Sequence, residues 1–321
     1  GAAPLQEAAM KVLFWGTPAF SLPALRALAE EGHDVVGVVT QPDRPVGRGR
    51  TVQFSAIKQE AIDEGIPLLQ PERARGDEFI AQIRALGADV SVVVAYGQIL
   101  KPEVLAVPRL GSINIHASLL PELRGAAPIQ WAVLRGHAQT GVTIMQMEAG
   151  LDSGPMLHKV EEPIRPDESS SELAARLSEI GAEALVEALA LLEDGALVPE
   201  PQDHALATFA PKIERETARI DWTRDADEVA RWMRGMDEVP GAWSELPGRG
   251  AVKLFRPKLE DASGEPGQVL EADGAAGVLV ACGRGAVRVT EVQPPGKRRM
   301  QAGEWVRGRG VATGDRFGDA G

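Results

Sequence analysis

Three residue types that acyl transfer uses lie just past apolar runs of this chain: an amide at Asn114, an imidazole at His116 and a carboxylate at Asp152. Asn114 and His116 are two apart in Ile113-Asn-Ile-His-Ala-Ser-Leu-Leu-Pro121, so on an extended segment both side chains point to one face. Amide and ring N–H groups aimed at one carbonyl oxygen stabilise the charge that builds there, while a carboxylate orients the ring and moves a proton. Each residue alone has an ordinary reading: Asn114 as a turn cap, His116 as a satisfied core histidine, Asp152 in Leu151-Asp-Ser-Gly154 as a turn carboxylate. Their joint position at the ends of strand-like runs points to a site, because in an open α/β sheet such ends converge on the ligand crevice.

The elements that must position them alternate. Lys11–Trp15, Val35–Thr40, Val90–Ala95, Ile113–Ile115 and Val142–Met145 predict short buried strands. Helical patterns run up to Glu31 (Leu22, Leu25 and Leu28 on one face), over Ser55–Glu64 and over Ala127–Arg135. A long helix is predicted over Ser169–Leu192, started by Asp167 or Ser169 and stopped by Gly195. The alternation implies an α/β fold with a doubly wound, mostly parallel sheet. Gly16-Thr-Pro lacks the second and third glycines of a dinucleotide fingerprint, and no Gly-Lys-Ser loop is present, so neither NAD nor ATP chemistry is expected.

Two stretches break the rhythm. Gln41–Arg50 has two Pro, two Gly and three Arg, and reads either as a solvated connection or as a basic finger for phosphate. Val198–Pro211 reads as a linker, which divides the chain into segments 10–195, 196–211 and 212–321. Beyond it lie a helix pattern at Ala226–Met233 and strands near Ala251–Phe255, Gln268–Glu271, Val278–Ala281 and Ala286–Val292. Closely spaced short strands point to a small OB-like β-barrel, a fold that often binds nucleic acid.

Composition narrows the class. With 321 residues, 44% hydrophobic and 25% charged, the chain reads as a soluble protein of two domains. No apolar run approaches a membrane span. Gly1–Ala9 has neither the basic nor the apolar part of a targeting segment, so Met10 is the expected natural start. The lone Cys282 reads as packing in a reducing compartment, and five scattered histidines give no metal cluster. A net charge of −12 argues against a generic DNA-binding surface. The charge is uneven: residues 1–195 carry 16 basic and 26 acidic side chains, residues 196–321 carry 18 and 20. Within 284–309, Arg284, Arg288, Lys297, Arg298, Arg299, Arg307 and Arg309 face only Glu291 and Glu304, a local patch suited to one shaped polyanion.

Asn-x-His-x-Ser-Leu-Leu-Pro, followed thirty-six residues after the His by Asp, resembles the folate-dependent formyltransferases, most nearly the branch that acts on methionyl-tRNA. The similarity also covers Val12–Phe20, Thr40–Gly49, Ala95–Leu100, Asn114–Gln130, Gly141–Gly154, Ala218–Trp222 and Gln293–Lys297; Phe54–Lys58 and Glu238–Trp243 depart from the usual runs. The resemblance implies a Rossmann-like catalytic domain and a C-terminal tRNA-binding barrel. It implies transfer of formyl from 10-formyltetrahydrofolate to the α-amine of methionyl initiator tRNA. It makes Asn114, His116 and Asp152 catalytic and gives Ser118, Leu119, Leu120 and Pro121 to the folate, with backbone near Ala95–Leu100. It assigns Arg44, Arg48 and Arg50 to the tRNA acceptor arm, with Lys297, Arg298 and Arg299 as further tRNA contacts. The expected setting is a monomer in the bacterial cytoplasm, with no metal, membrane or DNA partner. A formyltransferase for a small amine (glycinamide ribonucleotide or an amino sugar nucleotide) is the enzymatic rival. A noncatalytic tRNA- or folate-binding module is the other, and has no need of the Asn-His-Asp trio.

Overall fold

Val90–Val94 is buried at every residue, and a strand with no wet face must be covered on both sides. In the computed structural model, which describes residues 9–46 and 49–318, this strand is central to a seven-stranded sheet. The strands are β1 (Lys11–Gly16), β2 (Asp34–Val39), β5 (Leu68–Leu69), β6 (Val90–Val94), β7 (Ser112–His116), β8 (Gln139–Gln146) and β9 (Met156–Pro163). A separate hairpin is formed by β3 (Arg44–Val46), inside the stretch that reads as a loop, and β4 (Thr51–Gln53), just past it. The connections carry α1 (Leu22–Glu30), α2 (Ala56–Asp63), α3 (Asp77–Ala85), α4 (Pro102–Leu105), α5 (Pro128–Leu134) and α6 (Ser170–Glu193).

The sheet order is β5-β2-β1-β6-β7-β8-β9. β5, β2, β1, β6 and β7 are mutually parallel, and β8 runs antiparallel to β7. The chain goes from β1 to β2 on one side and returns to β6 on the other. The order therefore reverses between β1 and β6, and a ligand crevice opens beyond their carboxyl ends. α1 buries Leu25 and Leu28 of the predicted stripe together with Ala24, while Leu22 is only half-buried. Gly181 lets α6 lie close over β7, since a Cβ there would press on Ile115. β9 and α3 are not evident in the sequence: β9 alternates charged, half-exposed residues, and α3 buries only Phe79 and Ile83.

The described chain divides into two compact units. The first holds residues up to Gly125, Thr140–Glu162 and Ala174–Phe209; the second holds Ala126–Gln139, Pro163–Leu173 and Ala210 onward. Residues 196–209, which composition marks as a linker, run along the first unit, where Glu200 bridges to Met156 and Phe209 to Arg124.

The second unit adds α7 (Ala226–Gly235), β10 (Trp243–Leu246), β11 (Gly250–Glu260), β12 (Val269–Asp273), β13 (Gly277–Ala281), β14 (Ala286–Gln293), β15 (Met300–Gln301) and α8 (Ala302–Arg307). Its strands pair antiparallel in the order β10-β11-β14-β13-β12, with β15 on β14. Among the described residues β10 and β12 do not pair, so the sheet is a curled half-barrel, open at that seam. α7 buries Ala226, Val229, Ala230 and Met233, and a core of Trp222, Trp243, Trp305 and Phe317 fills the unit. No helix among the described residues is long and apolar enough to cross a membrane.

Candidate active site

β7 ends at His116, and its register against β6 and β8 sets Asn114 beside Val93 and Met145, and His116 opposite Thr143. The two side chains share a strand face, one pleat repeat or about 7 Å apart along the chain. Asn114 Nδ2 donates to the Val93 carbonyl at 3.2 Å, while its Oδ1 is buried with no hydrogen-bond partner among the described residues. An orphaned buried acceptor costs about 1–3 kcal/mol unless a ligand satisfies it.

His116 is almost fully buried, with Nε2 2.9 Å from the Leu123 carbonyl. That contact requires a proton on Nε2 and turns Nδ1 toward Asp152, whose Oδ2 is 3.7 Å away. Asp152 Oδ2 also accepts the Gly125 N–H at 2.9 Å. Asp152 has φ 48°, a left-handed conformation that a short polar residue tolerates and that a surrounding structure must hold in place. Gly154, two residues on, passes so close to β8 that a Cβ would collide with the Gln146 carbonyl. The fold thus brings His116 and Asp152 together, with Asn114 on the same strand face.

Of the four residues expected at folate, Ser118 and Leu120 are fully buried. Ser118 Oγ donates to the Glu122 carbonyl at 2.6 Å, and the Leu120 side chain packs with Met145 and Met156. Thr143 Oγ1 donates to the Ser118 carbonyl at 2.7 Å and accepts the Leu120 N–H at 3.1 Å. Lys159 Nζ donates to the Leu120 carbonyl at 2.9 Å. Ser118 and Leu120 therefore shape the loop with their side chains, and only Leu119 and Pro121 keep side-chain surface. At the end of β6, Ala95 has φ 51° and the Tyr96 carbonyl accepts Thr17 Oγ1–H at 2.9 Å. Tyr96 itself is buried against Trp15, its Oη has no partner among the described residues, and burial pushes its hydroxyl up to about 12.

The basic residues separate into two kinds. Arg44 and Arg50 are exposed on the β3–β4 hairpin, and their side chains make no hydrogen bond or ion pair among the described residues; Arg48 lies outside the described residues. The hairpin is fastened at its root: Lys58 Nζ meets Asp43 Oδ2 at 2.6 Å and sits 3.8 Å above the Phe54 ring, and Gln70 donates to Asp43 Oδ1 at 3.0 Å. The Lys58 bond holds the Asp43 carboxyl below its ordinary value. In the turn after β14, Lys297 and Arg298 are exposed and unpaired among the described residues. Arg299 is committed to the fold: it makes bonds of 2.9 and 3.2 Å to the buried Asp237, meets Glu291 and stacks 3.9 Å over Phe255. Arg288 likewise pairs with Glu260 and Glu271, so the basic run is less free than its composition suggests. Cys282 is buried, and its thiol is pushed up to about 12, which suits packing rather than attack.

Sequence reasoning missed Arg124 and Gln202. Both are more than nine-tenths buried, and they hydrogen-bond each other beside Asp152. Arg124 lies inside the Asn114–Gln130 run of family similarity, whereas Gln202 sits in a polar stretch that carries no signal of its own.

Residues 10–189 match the formyl transferase family and residues 212–310 match the formyl transferase C-terminal domain, so this chain belongs to the formyl transferase family. Among its relatives, the methionyl-tRNA formyltransferase of Geobacter sulfurreducens is 45% identical over 314 residues, covering 98% of each chain. That of Pseudomonas paraeruginosa is 50% identical over 291 residues, covering 91% of this chain and 93% of the relative. Among solved structures, HypX from Aquifex aeolicus with tetrahydrofolic acid superposes with a TM-score of 0.68 at 22% identity, covering 92% of this chain and 46% of that one. The sugar 3N-formyl transferase WlaRD gives a TM-score of 0.64 at 15% identity, covering 90% and 99%. At these identities the two structures speak for the fold.

Proposed function

We propose that this chain transfers the formyl group of 10-formyltetrahydrofolate to the α-amine of methionyl initiator tRNA, giving formylmethionyl-tRNA for translation initiation. The reading rests on one observation above others: His116 and Asp152 face each other, with the half-buried amide of Asn114 on the same strand face. Support for the substrate comes from relatives named methionyl-tRNA formyltransferase that align over nearly the whole chain.

The folate donor suits this corner, because the half-buried Asn114 amide has an oxygen with no partner among the described residues. When bound, the folate supplies a formyl carbon on N10. Asn114 has one N–H on the Val93 carbonyl, which leaves the second for the formyl oxygen as charge grows there. His116 is fixed through Nε2, so Nδ1 is the edge that donates once protonated. Asp152 orients that edge and would accept the proton that the attacking ammonium must lose, and the site would return a proton to N10 as its bond to the formyl carbon breaks. No side chain here needs to form a covalent intermediate. Leu119, Pro121 and the backbone around Ser118, Leu120 and Ala95–Leu100 hold the folate. Arg44, Arg48 and Arg50, with Lys297 and Arg298, take tRNA phosphates. Residues 10–195 are the catalytic segment, 196–211 the connection and 212–321 the tRNA-binding domain. The chain works as a monomer in the bacterial cytoplasm.

The test is formyl transfer to charged initiator tRNA against small amines, run across a salt series. Transfer to the tRNA, weakening steeply as salt rises, is the expected outcome. Turnover of a free amine at a comparable rate would favour the small-amine rival.

A further inference from the structure

We propose that Gln202, oriented by Arg124, is the positioning residue that holds the Asp152 carboxylate against His116; the inference rests on the catalytic reading of that pair. Arg124 is 6% exposed, and no carboxylate among the described residues pairs with it. A guanidinium has donors only, so a buried one must be surrounded by acceptors. Here they are Gln202 Oε1, at 3.2 Å from Nε and 2.8 Å from Nη2, and His204 Nδ1, at 2.8 Å from Nη2.

This fixes the orientation of the Gln202 amide. Its oxygen must face the guanidinium, so both Nε2 hydrogens turn the other way. They meet the carbonyls of Asp152 and Gly154, each at 2.8 Å. These bonds hold the backbone that carries Asp152 at φ 48°.

The contacts close into a ring. Arg124 stands between Leu123, whose carbonyl meets His116 Nε2, and Gly125, whose N–H meets Asp152 Oδ2. Leu123 and Arg124 are in turn tied to Thr208, through its Oγ1 and its carbonyl, each at 2.9 Å. The chain from 202 to 208 therefore braces both members of the pair at once. A neutral amide alone satisfies the ring: a carboxylate at 202 would meet Arg124 but bring no N–H to the two carbonyls, and an alkyl chain would meet neither.

The experiment measures Gln202→Met and Gln202→Glu in formyl transfer beside Asp152→Asn and a distant core truncation, Leu28→Ala, with melting points for all. Both Gln202 variants are expected to lose about tenfold or more in kcat, with KM for tRNA and folate within about twofold, as misplacement of a reacting group does. Leu28→Ala should melt earlier and keep its kcat while folded, which separates positioning from mere stability. Gln202→Glu guards against Gln202→Met failing to fold, because it keeps the Arg124 contact. If Asp152→Asn is slow while the Gln202 variants turn over at the wild-type rate, the inference falls and the catalytic reading stands. A change in KM rather than kcat would overturn it equally. If Asp152→Asn is fully active, the catalytic reading itself is wrong.

Discussion

Two loops that follow strands of one sheet are built in opposite ways. The loop after β7, Ala117–Gly125, is tied down along its length: Ser118 to Glu122 and Thr143, Leu120 to Lys159, Leu123 to His116 and Thr208, Gly125 to Asp152. Among its described residues the loop after β2 is fastened at its root, by Asp43, Lys58 and Gln70, and beyond it the Arg44 and Arg50 side chains stand free in solvent. The contrast follows from the work each does in the proposed reaction. Chemistry at a carbonyl needs groups fixed to a fraction of an ångström, whereas catching phosphate needs positive charge with reach.

Breaking the tied corner should cost most. Asp152→Asn and His116→Ala are each expected to lower kcat by about 10²- to 10⁴-fold with little change in the KM for tRNA. Steady-state kinetics with charged tRNA check this, and a variant with wild-type kcat would remove its residue from the chemistry. Arg299 sharpens the comparison from the other side, since by composition it belongs with the free cations. Arg299→Ala is expected to cost about 1–3 kcal/mol in urea unfolding, less than a fully buried pair because its side chain is 26% exposed, and to leave the salt dependence of tRNA binding unchanged. Arg44→Ala and Arg50→Ala should behave in reverse. Each is expected to reduce the slope of log affinity against log salt by about 1, with kcat and melting unchanged. A drop in kcat at saturating tRNA would show that the hairpin does more than gather phosphate.

The smallest effect concerns the root of the hairpin. Asp43 titrates below its ordinary value in the folded chain, so its contribution is present above the unfolded value and is lost as pH falls through the folded one. The Asp43 carboxyl signal is expected to titrate below its usual midpoint and to move back toward it in Lys58→Met, where the Gln70 bond remains, as an NMR titration would read.

Much of the fold was legible because it is written in apolar periodicity. The run Val90–Ala95 became β6, the Ser55 start became the N-cap of α2, and the pattern at Ala127–Arg135 became α5. What failed had weak periodicity: β9 has charged residues along a half-exposed strand, and β10 has only four residues. Asn114, His116 and Asp152 stood out by type and by family resemblance. The groups that hold them did not, because the Gly125 N–H and the Leu123 carbonyl are backbone atoms, which every residue has. Arg299 looks free in the sequence for a related reason: composition counts a charge but cannot show that it pairs with Asp237 and Glu291.

The brace at 202–208 has a practical consequence for dissecting this polypeptide. The first family match ends at residue 189, an inviting place to cut. A fragment trimmed there would lack Gln202 and Thr208, and on the proposed reading would reach the assay with Asp152 loosened for reasons unrelated to the missing C-terminal domain. A fair excision of the first compact unit has to extend through Phe209.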